Sequence, residues 1–180
     1  SLSPGGWVAS THVDFLRGVA QMWRISDDLW DRWEDVYQQF PRLARWAPMQ
    51  RTGHWADADM LPLGHIGLRA ERGDDRQSKL TLDEQKTLLT LWSMGRSPLM
   101  VGGDLPTSSA DTIALLANPA LREVTAGSSG NREIVRERLF AEWNVEESFI
   151  GELIVWAADA ADWADGTISA HPHGHYGAIF

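Results

Sequence analysis

Apolar and polar positions follow two alternating periods over the first 125 residues. Residues 13–18 carry the pattern of a short helix. Residues 19–25 form a mostly apolar run that reads as a buried strand, interrupted by Gln21 and closing on Arg24 and Ile25. Leu29, Trp30, Trp33, Val36, Tyr37 and Phe40 then fall at i, i+1, i+4, i+7, i+8 and i+11, an apolar stripe of helical period. Ser26 and Asp27 stand where they would cap that helix, and Pro41 where it would kink or end it. A short segment over 53–57 opens a loop containing Pro and Gly that runs to Gly67. Thr81-Leu82-Asp83-Glu84 is a capping box, and Leu88, Leu89, Leu91, Trp92 and Met94 give the helix after it a buried face. Leu99-Met100-Val101 predicts a compact buried strand, with Gly102-Gly103-Asp104 turning out of it. Ser108-Ser109-Ala110-Asp111 then caps a last helix carrying Ile113, Leu115 and Leu116.

Strands alternating with helices require crossover connections, hence a parallel sheet. Near residue 120 the period changes, and 132–140, 152–158 and 176–180 are β-type runs separated by Gly, Asp and Asn turns. Ala126-Gly127-Ser128-Ser129-Gly130 has the composition of a flexible linker. The expected organisation is an α/β domain over 1–125, then a linker and the opening strands of a β domain over 126–180. The chain starts at Ser1-Leu2-Ser3-Pro4 without an initiator Met or an apolar signal core, and it ends in an apolar run. It is therefore read as an internal piece of a longer protein.

Charge narrows the range of partners. Sixteen Lys and Arg stand against 25 Asp and Glu, a net charge of −9, which argues against nucleic acid or an anionic membrane surface as a partner. No apolar run approaches the roughly 20 residues of a membrane helix. The chain has no cysteine, which excludes disulfides, thiolate nucleophiles and Cys-ligated metals. Ten Trp among 180 residues is a heavy load. Indole faces either pack a core or stack on sugar rings, and the count alone favours the core.

Chemistry in α/β enzymes gathers where parallel strands end. Three such ends here carry charge: Trp23-Arg24-Ile25-Ser26-Asp27-Asp28, His54-Trp55-Ala56-Asp57-Ala58-Asp59-Met60, and Gly102-Gly103-Asp104. Carboxylates and an Arg, ringed by Trp23, Trp30 and Trp55, suit a neutral polyhydroxylated ligand. Against this, Asp27 and Asp28 are also what a helix start favours. His171-x-His173-x-His175 has alternate-residue spacing, but Pro172 and Gly174 favour an exposed loop over a metal site. Gly102-Gly103 precedes no phosphate-loop Lys, so nucleotide binding has no support, and Arg42, Arg45 and Arg51 make only a sparse basic cluster.

The strand-end segments carry a family resemblance. Trp23-Arg24-Ile25-Ser26-Asp27-Asp28-Leu29-Trp30-Asp31-Arg32-Trp33 resembles the acid/base segment of melibiase-type α-galactosidases. Gly53-His54-Trp55-Ala56-Asp57-Ala58-Asp59-Met60-Leu61 resembles their Trp-Asn-Asp-Pro-Asp-Met-Leu segment. The stretch from Leu91-Trp92-Ser93-Met94-Gly95-Arg96 to Gly102-Gly103-Asp104-Leu105 resembles their last barrel strand with the helix before it. Three segments in the right order make a specific signal.

The resemblance implies that residues 1–125 are the C-terminal half of a (β/α)₈ TIM barrel, followed over 126–180 by a linker and the first strands of a C-terminal antiparallel β-sandwich. It implies retaining hydrolysis of terminal α-galactosides by two Asp residues, with no cofactor and no metal. Asp28 takes the general acid/base position and Arg24 the position near the sugar 2-hydroxyl. Asp59 takes a sugar-binding position and Met60 lines the pocket, with Trp55 beside them. The expected partner is a galactoside or related glycoside, and relatives are commonly secreted, periplasmic or lysosomal. No residue here matches the family's nucleophile. A retaining mechanism needs a second carboxylate about 5–5.5 Å from the acid/base, so these 180 residues alone are expected to be inactive, and a non-catalytic carbohydrate-binding or scaffold protein of the same fold stands as the alternative. Ala56 and Ala58 replace the family's Asn and Pro. Ser3 stands roughly where α-galactosidases carry a Glu that reads the 2-hydroxyl. Its small side chain leaves room for a 2-acetamido group or marks a different glycone such as β-L-arabinopyranose.

Overall fold

Parallel and antiparallel pairing both occur in the first part of the chain, and a purely antiparallel sheet forms the second, in the computed structural model. It describes residues 1–70, 72–143, 146–164 and 167–180, as backbone alone within 142–148 and 162–173. Strand β1 (Met22–Arg24) runs parallel to β2 (Trp55–Asp57), with Met22 beside Trp55 and Arg24 beside Asp57. On the other side of β1, Leu2 pairs in parallel with Trp23. Its N–H donates to the Met22 carbonyl at 2.9 Å, and its own carbonyl accepts from Arg24 N–H at 2.9 Å. Leu61 pairs in parallel with Val101. Arg24 and Asp57 therefore end β1 and β2 side by side, and Ser3 follows the segment paired on the other side of β1.

Between these strands lie α1 (Val13–Val19), α2 (Trp33–Tyr37) and α3 (Gln39–Trp46), and a small antiparallel pair follows, β3 (His65–Ile66) with β4 (Arg76–Gln77). Helix α4 (Leu82–Gly95) starts on the expected capping box. Thr81 Oγ1 accepts from Glu84 N–H at 3.3 Å, and Glu84 Oε2 accepts from Thr81 N–H at 2.7 Å. Leu88, Leu89, Leu91, Trp92 and Met94 are all buried, as the periodicity predicts. Ser109 caps α5 (Ala110–Leu116) by accepting from Thr112 N–H at 3.2 Å.

Three expectations are corrected. The helix foreseen after Ser26 begins only at Trp33. Ser26 Oγ donates to the Ala58 carbonyl at 3.1 Å and Asp27 Oδ1 accepts from Gly6 N–H at 3.1 Å, so both serve neighbouring segments and neither caps a helix. Leu29 is buried from that loop all the same, and Pro41 sits in the first turn of α3, where its missing N–H costs nothing. Leu99-Met100-Val101 makes a single bridge, and Met100 and Val101 are more than a third exposed, so it is no buried strand. Residues 126–130 are no loose linker: α6 (Pro119–Gly127) passes directly into β5 (Ser128–Trp143). Asn131 is buried there, donating at 2.8 Å to both the Met94 carbonyl and Ser128 Oγ.

Strands β5, β6 (Glu146–Ala164) and β7 (Thr167–Ile179) form an antiparallel meander, longer than the runs read from sequence. Ile154, Trp156 and Ala178 join the same apolar cluster as Phe40, Leu43 and Trp92, so sheet and helices share one core. Phe180 closes it, edge-on to Phe40 at 5.0 Å. Trp23, Trp46, Trp92 and Trp156 are fully enclosed, and Trp23 packs on Trp46 at 6.0 Å. Much of the Trp load is therefore core. His175 is exposed beside Asp159, and the side chains of His171 and His173 lie outside the described residues.

Candidate active site

Arg24 ends β1, and the pairing of β1 with β2 brings its guanidinium over the turn that follows Asp57. Arg24 Nη1 meets Asp59 Oδ1 at 2.9 Å. Its Nη2 donates to the Ser26 carbonyl at 3.2 Å and stands 3.6 Å from Asp28 Oδ1. One cation thus links the two carboxylates. Arg24 and Asp59 are largely buried, whereas the Asp28 side chain is 64% exposed. Asp28 is free to meet a ligand while the pair behind it is fixed.

Asp59 is held at every polar group. Its φ of +86° is uncommon for a residue with a side chain, and the surroundings over-determine it. Its N–H donates to Asp57 Oδ1 at 2.9 Å, its Oδ2 accepts from Leu29 N–H at 2.7 Å, and its carbonyl accepts from Trp92 Nε1 at 3.0 Å. Burial pushes the Asp57 carboxyl up, opposed by the Asp59 N–H and by Arg24. Ala58 N–H donates to Ser97 Oγ at 3.0 Å, which ties the turn to the end of α4 even though the family's Pro is absent.

In front of Arg24 lies a cleft of about 680 Å³, bordered by Ser3, Pro4, Asp27, Asp28 and Trp30. Ser3 reaches its rim because Asp27 holds the segment that follows. Gly5, at φ +72°, packs against that carboxylate, where a Cβ would lie 2.9 Å from Oδ1. Met60 is not among the residues bordering this cleft. It faces an adjoining hollow of about 430 Å³ that shares Trp30 and includes Gly102 and Asp104.

Trp55 is not brought to the cleft. It sits at the start of β2, two residues before the strand's end, and its indole lies under the Arg96 guanidinium at 4.6 Å, beside Pro98 and Thr125. The cleft forms at the other end of the strand, which explains the separation. Trp23 is likewise committed to the core.

Two arginines that sequence reasoning passed over also belong to this region. Arg76 forms a bidentate pair with Asp31, from Nε at 2.9 Å and Nη2 at 2.5 Å, and Lys79 N–H adds 3.0 Å to Asp31 Oδ2. Arg72 borders the cleft. No motif marks either one: Arg72 lies in a turn rich in Gly and Asp, and Arg76 opens the two-residue strand β4 that follows it. Together these groups offer a carboxyl able to exchange a proton at the mouth of a cleft, and a fixed Arg–carboxylate pair able to bond hydroxyls.

Comparison with known proteins is consistent across sequence and structure. The family model described as alpha galactosidase A matches residues 7–126. The chain is 27% identical to alpha-galactosidase 2 of Arabidopsis thaliana over 92% of its own length and 38% of that protein's. It is 27% identical to human alpha-N-acetylgalactosaminidase over 77% of its length and 32% of that protein's. The crystal structure of a GH27 β-L-arabinopyranosidase from Geobacillus stearothermophilus superposes with a TM-score of 0.76 at 39% identity, covering 88% of this chain and 34% of that one. The chain thus spans about a third of the length of these curated relatives.

Proposed function

Because the chain belongs to the alpha galactosidase A family of glycosidases, we propose that it supplies the acid/base side of an active centre hydrolysing terminal non-reducing α-D-galactosyl residues. In this reading residues 1–125 are part of a (β/α)₈ barrel and 126–180 begin a C-terminal β domain. Asp28 gives its proton to the departing glycosidic oxygen while a second Asp, from outside these 180 residues, attacks the anomeric carbon. Asp28, now a carboxylate, then takes a proton from the water that frees the sugar with retention. Arg24 and Asp59 hold sugar hydroxyls, Met60 lines the adjoining wall, and Ser3 borders the 2-position. Trp55 has no part in it.

The observation that carries the proposal is Arg24, which contacts Asp59 and Asp28 together at the edge of one cleft. In the full-length protein, Asp28→Ala is expected to lower turnover of substrates with poor leaving groups by about 10²–10⁴-fold and to spare activated aryl glycosides. Equal retention of both activities removes Asp28 from the role. Carbohydrate binding without any turnover by the unaltered full-length protein would leave a binding function instead.

A second glycone is favoured by a specific observation. Among solved structures, identity is 39% to the β-L-arabinopyranosidase and 35% to a Bacillus halodurans protein described as an alpha-N-acetylgalactosaminidase, against 18% to the α-galactosidase of Saccharomyces cerevisiae, and Ser3 is small where the resemblance gives α-galactosidases a Glu. Comparing kcat/KM on the nitrophenyl α-galactoside, α-N-acetylgalactosaminide and β-L-arabinopyranoside decides among them. A preference above tenfold for either of the last two replaces the α-galactosyl assignment.

A further inference from the structure

The turn between β3 and β4, described over residues 67–70 and 72–75, lies outside the strand ends, yet Arg72 reaches the cleft. Arg72 puts Nη2 3.6 Å from Asp28 Oδ2, while Arg24 Nη2 stands 3.6 Å from Oδ1. The carboxylate sits between two guanidiniums, one on each oxygen. Both separations exceed hydrogen-bond length, so each pairing acts through charge and orientation and leaves room at the oxygens for a proton and a ligand atom.

The stem of the turn is fixed. Arg76 is clasped by Asp31, and its Nη1 donates to the Asp74 carbonyl at 2.9 Å. The His65 ring bonds the Asp75 carboxylate on one side and Thr107 Oγ1 at 2.5 Å on the other. Gly67, at φ +78°, lies against the Asp74 carbonyl, where a Cβ would come within 2.5 Å of the oxygen. Arg72 itself has a left-handed φ of +59°. A non-glycine residue in that conformation is uncommon outside built turns.

We propose that Arg72 is a positioning residue for Asp28, holding the carboxyl from the solvent side of the cleft while Arg24 holds it from the buried side. The inference rests on Asp28 being the acid/base. The charged groups facing Asp28 are Arg24 and Arg72, with Asp27 and Arg32 also bordering the cleft and Asp59 compensated by Arg24. Both halves of the reaction need the carboxyl turned toward the same glycosidic oxygen or water, and a guanidinium beside each of its oxygens fixes that orientation.

The test is kcat/KM of the full-length enzyme on two substrates: a disaccharide, whose departing oxygen needs a proton, and an activated aryl glycoside, whose departing oxygen does not. Arg72→Gln is expected to lower kcat/KM on the disaccharide by about threefold, the size fitting so exposed a pair, with the aryl glycoside nearly unchanged. Arg72→Lys should restore the disaccharide value. An unchanged disaccharide value in Arg72→Gln overturns the proposal. So does an equal loss on both substrates, or a loss that persists in Arg72→Lys, since loss of turn structure would then be the cause. Asp28→Asn runs beside these variants. If it keeps full activity on poor and activated leaving groups alike, the acid/base reading has failed and this inference with it. If it loses activity on the disaccharide while Arg72→Gln does not, only the inference has failed.

Discussion

Asp31 shows what the site demands of a side chain that touches no ligand. Burial pushes its carboxyl up, but the Arg76 guanidinium and the Lys79 N–H outweigh burial and hold it below the ordinary carboxylate value. A carboxyl depressed in the folded state contributes stability above its unfolded value of about 3.9, and that stability is lost as pH falls through the lower folded value. Asp31→Asn strands the Arg76 charge. It should cost about 2–3 kcal/mol at neutral pH, read as several degrees in the thermal midpoint of the full-length protein, with the difference closing below about pH 4. A difference that stays constant from pH 7 to pH 3 would show that the loss does not come from the ionised pair. Asp57 has the opposite sign. Burial raises it, so its charged form opposes folding once pH passes above the raised folded value. In Asp57→Asn the amide oxygen still accepts from Asp59 N–H, so this variant should be as stable as the parent or more so at pH 8. Asp57→Ala loses that bond and should be less stable by about 1 kcal/mol at pH 5 in the same thermal measurement.

Elements whose signals are local were legible in the sequence. The Thr81–Glu84 box and the buried stripe of α4 involve neighbours within a few turns, and both formed as read. Thr81→Ala should cost about 1 kcal/mol, measurable as a lower midpoint, with little change in activity. Elements decided by distant partners were not legible. Ser26 and Asp27 have capping chemistry, but Ala58 and Gly6 take it up instead. Residues 126–130 have linker composition, but Asn131 finds the Met94 carbonyl and fixes the passage from α6 into β5. The candidate site divides along the same line. Arg24, Asp28 and Asp59 follow strand ends, where order along the chain indicates position. Trp55 was misplaced because two residues along a strand separate its two ends, and Arg72 was invisible because a turn carries no periodicity.

At the scale of the whole molecule, surface apolarity is concentrated in two places. Trp7 is 92% exposed and Phe15 68%, and both line a hollow next to Leu2, beyond which the parallel pairing does not continue among the described residues. On the antiparallel sheet, Phe149, Ile150 and Ile179 are each more than half exposed. Single exposed apolar residues are ordinary, but clustered ones beside an open strand edge drive association. The 180 residues expressed by themselves should therefore self-associate at micromolar concentration, as seen by sedimentation velocity, and should show no glycosidase turnover for want of a nucleophile. Trp7→Ser with Phe15→Ser should weaken that association, because it removes the largest exposed aromatic area beside the edge. In the full-length protein the same double substitution should cost stability instead, since these side chains are then expected to be covered. A stable monomer of the isolated chain would mean that these apolar surfaces need no cover, and turnover by it would mean that a nucleophile lies within the 180 residues.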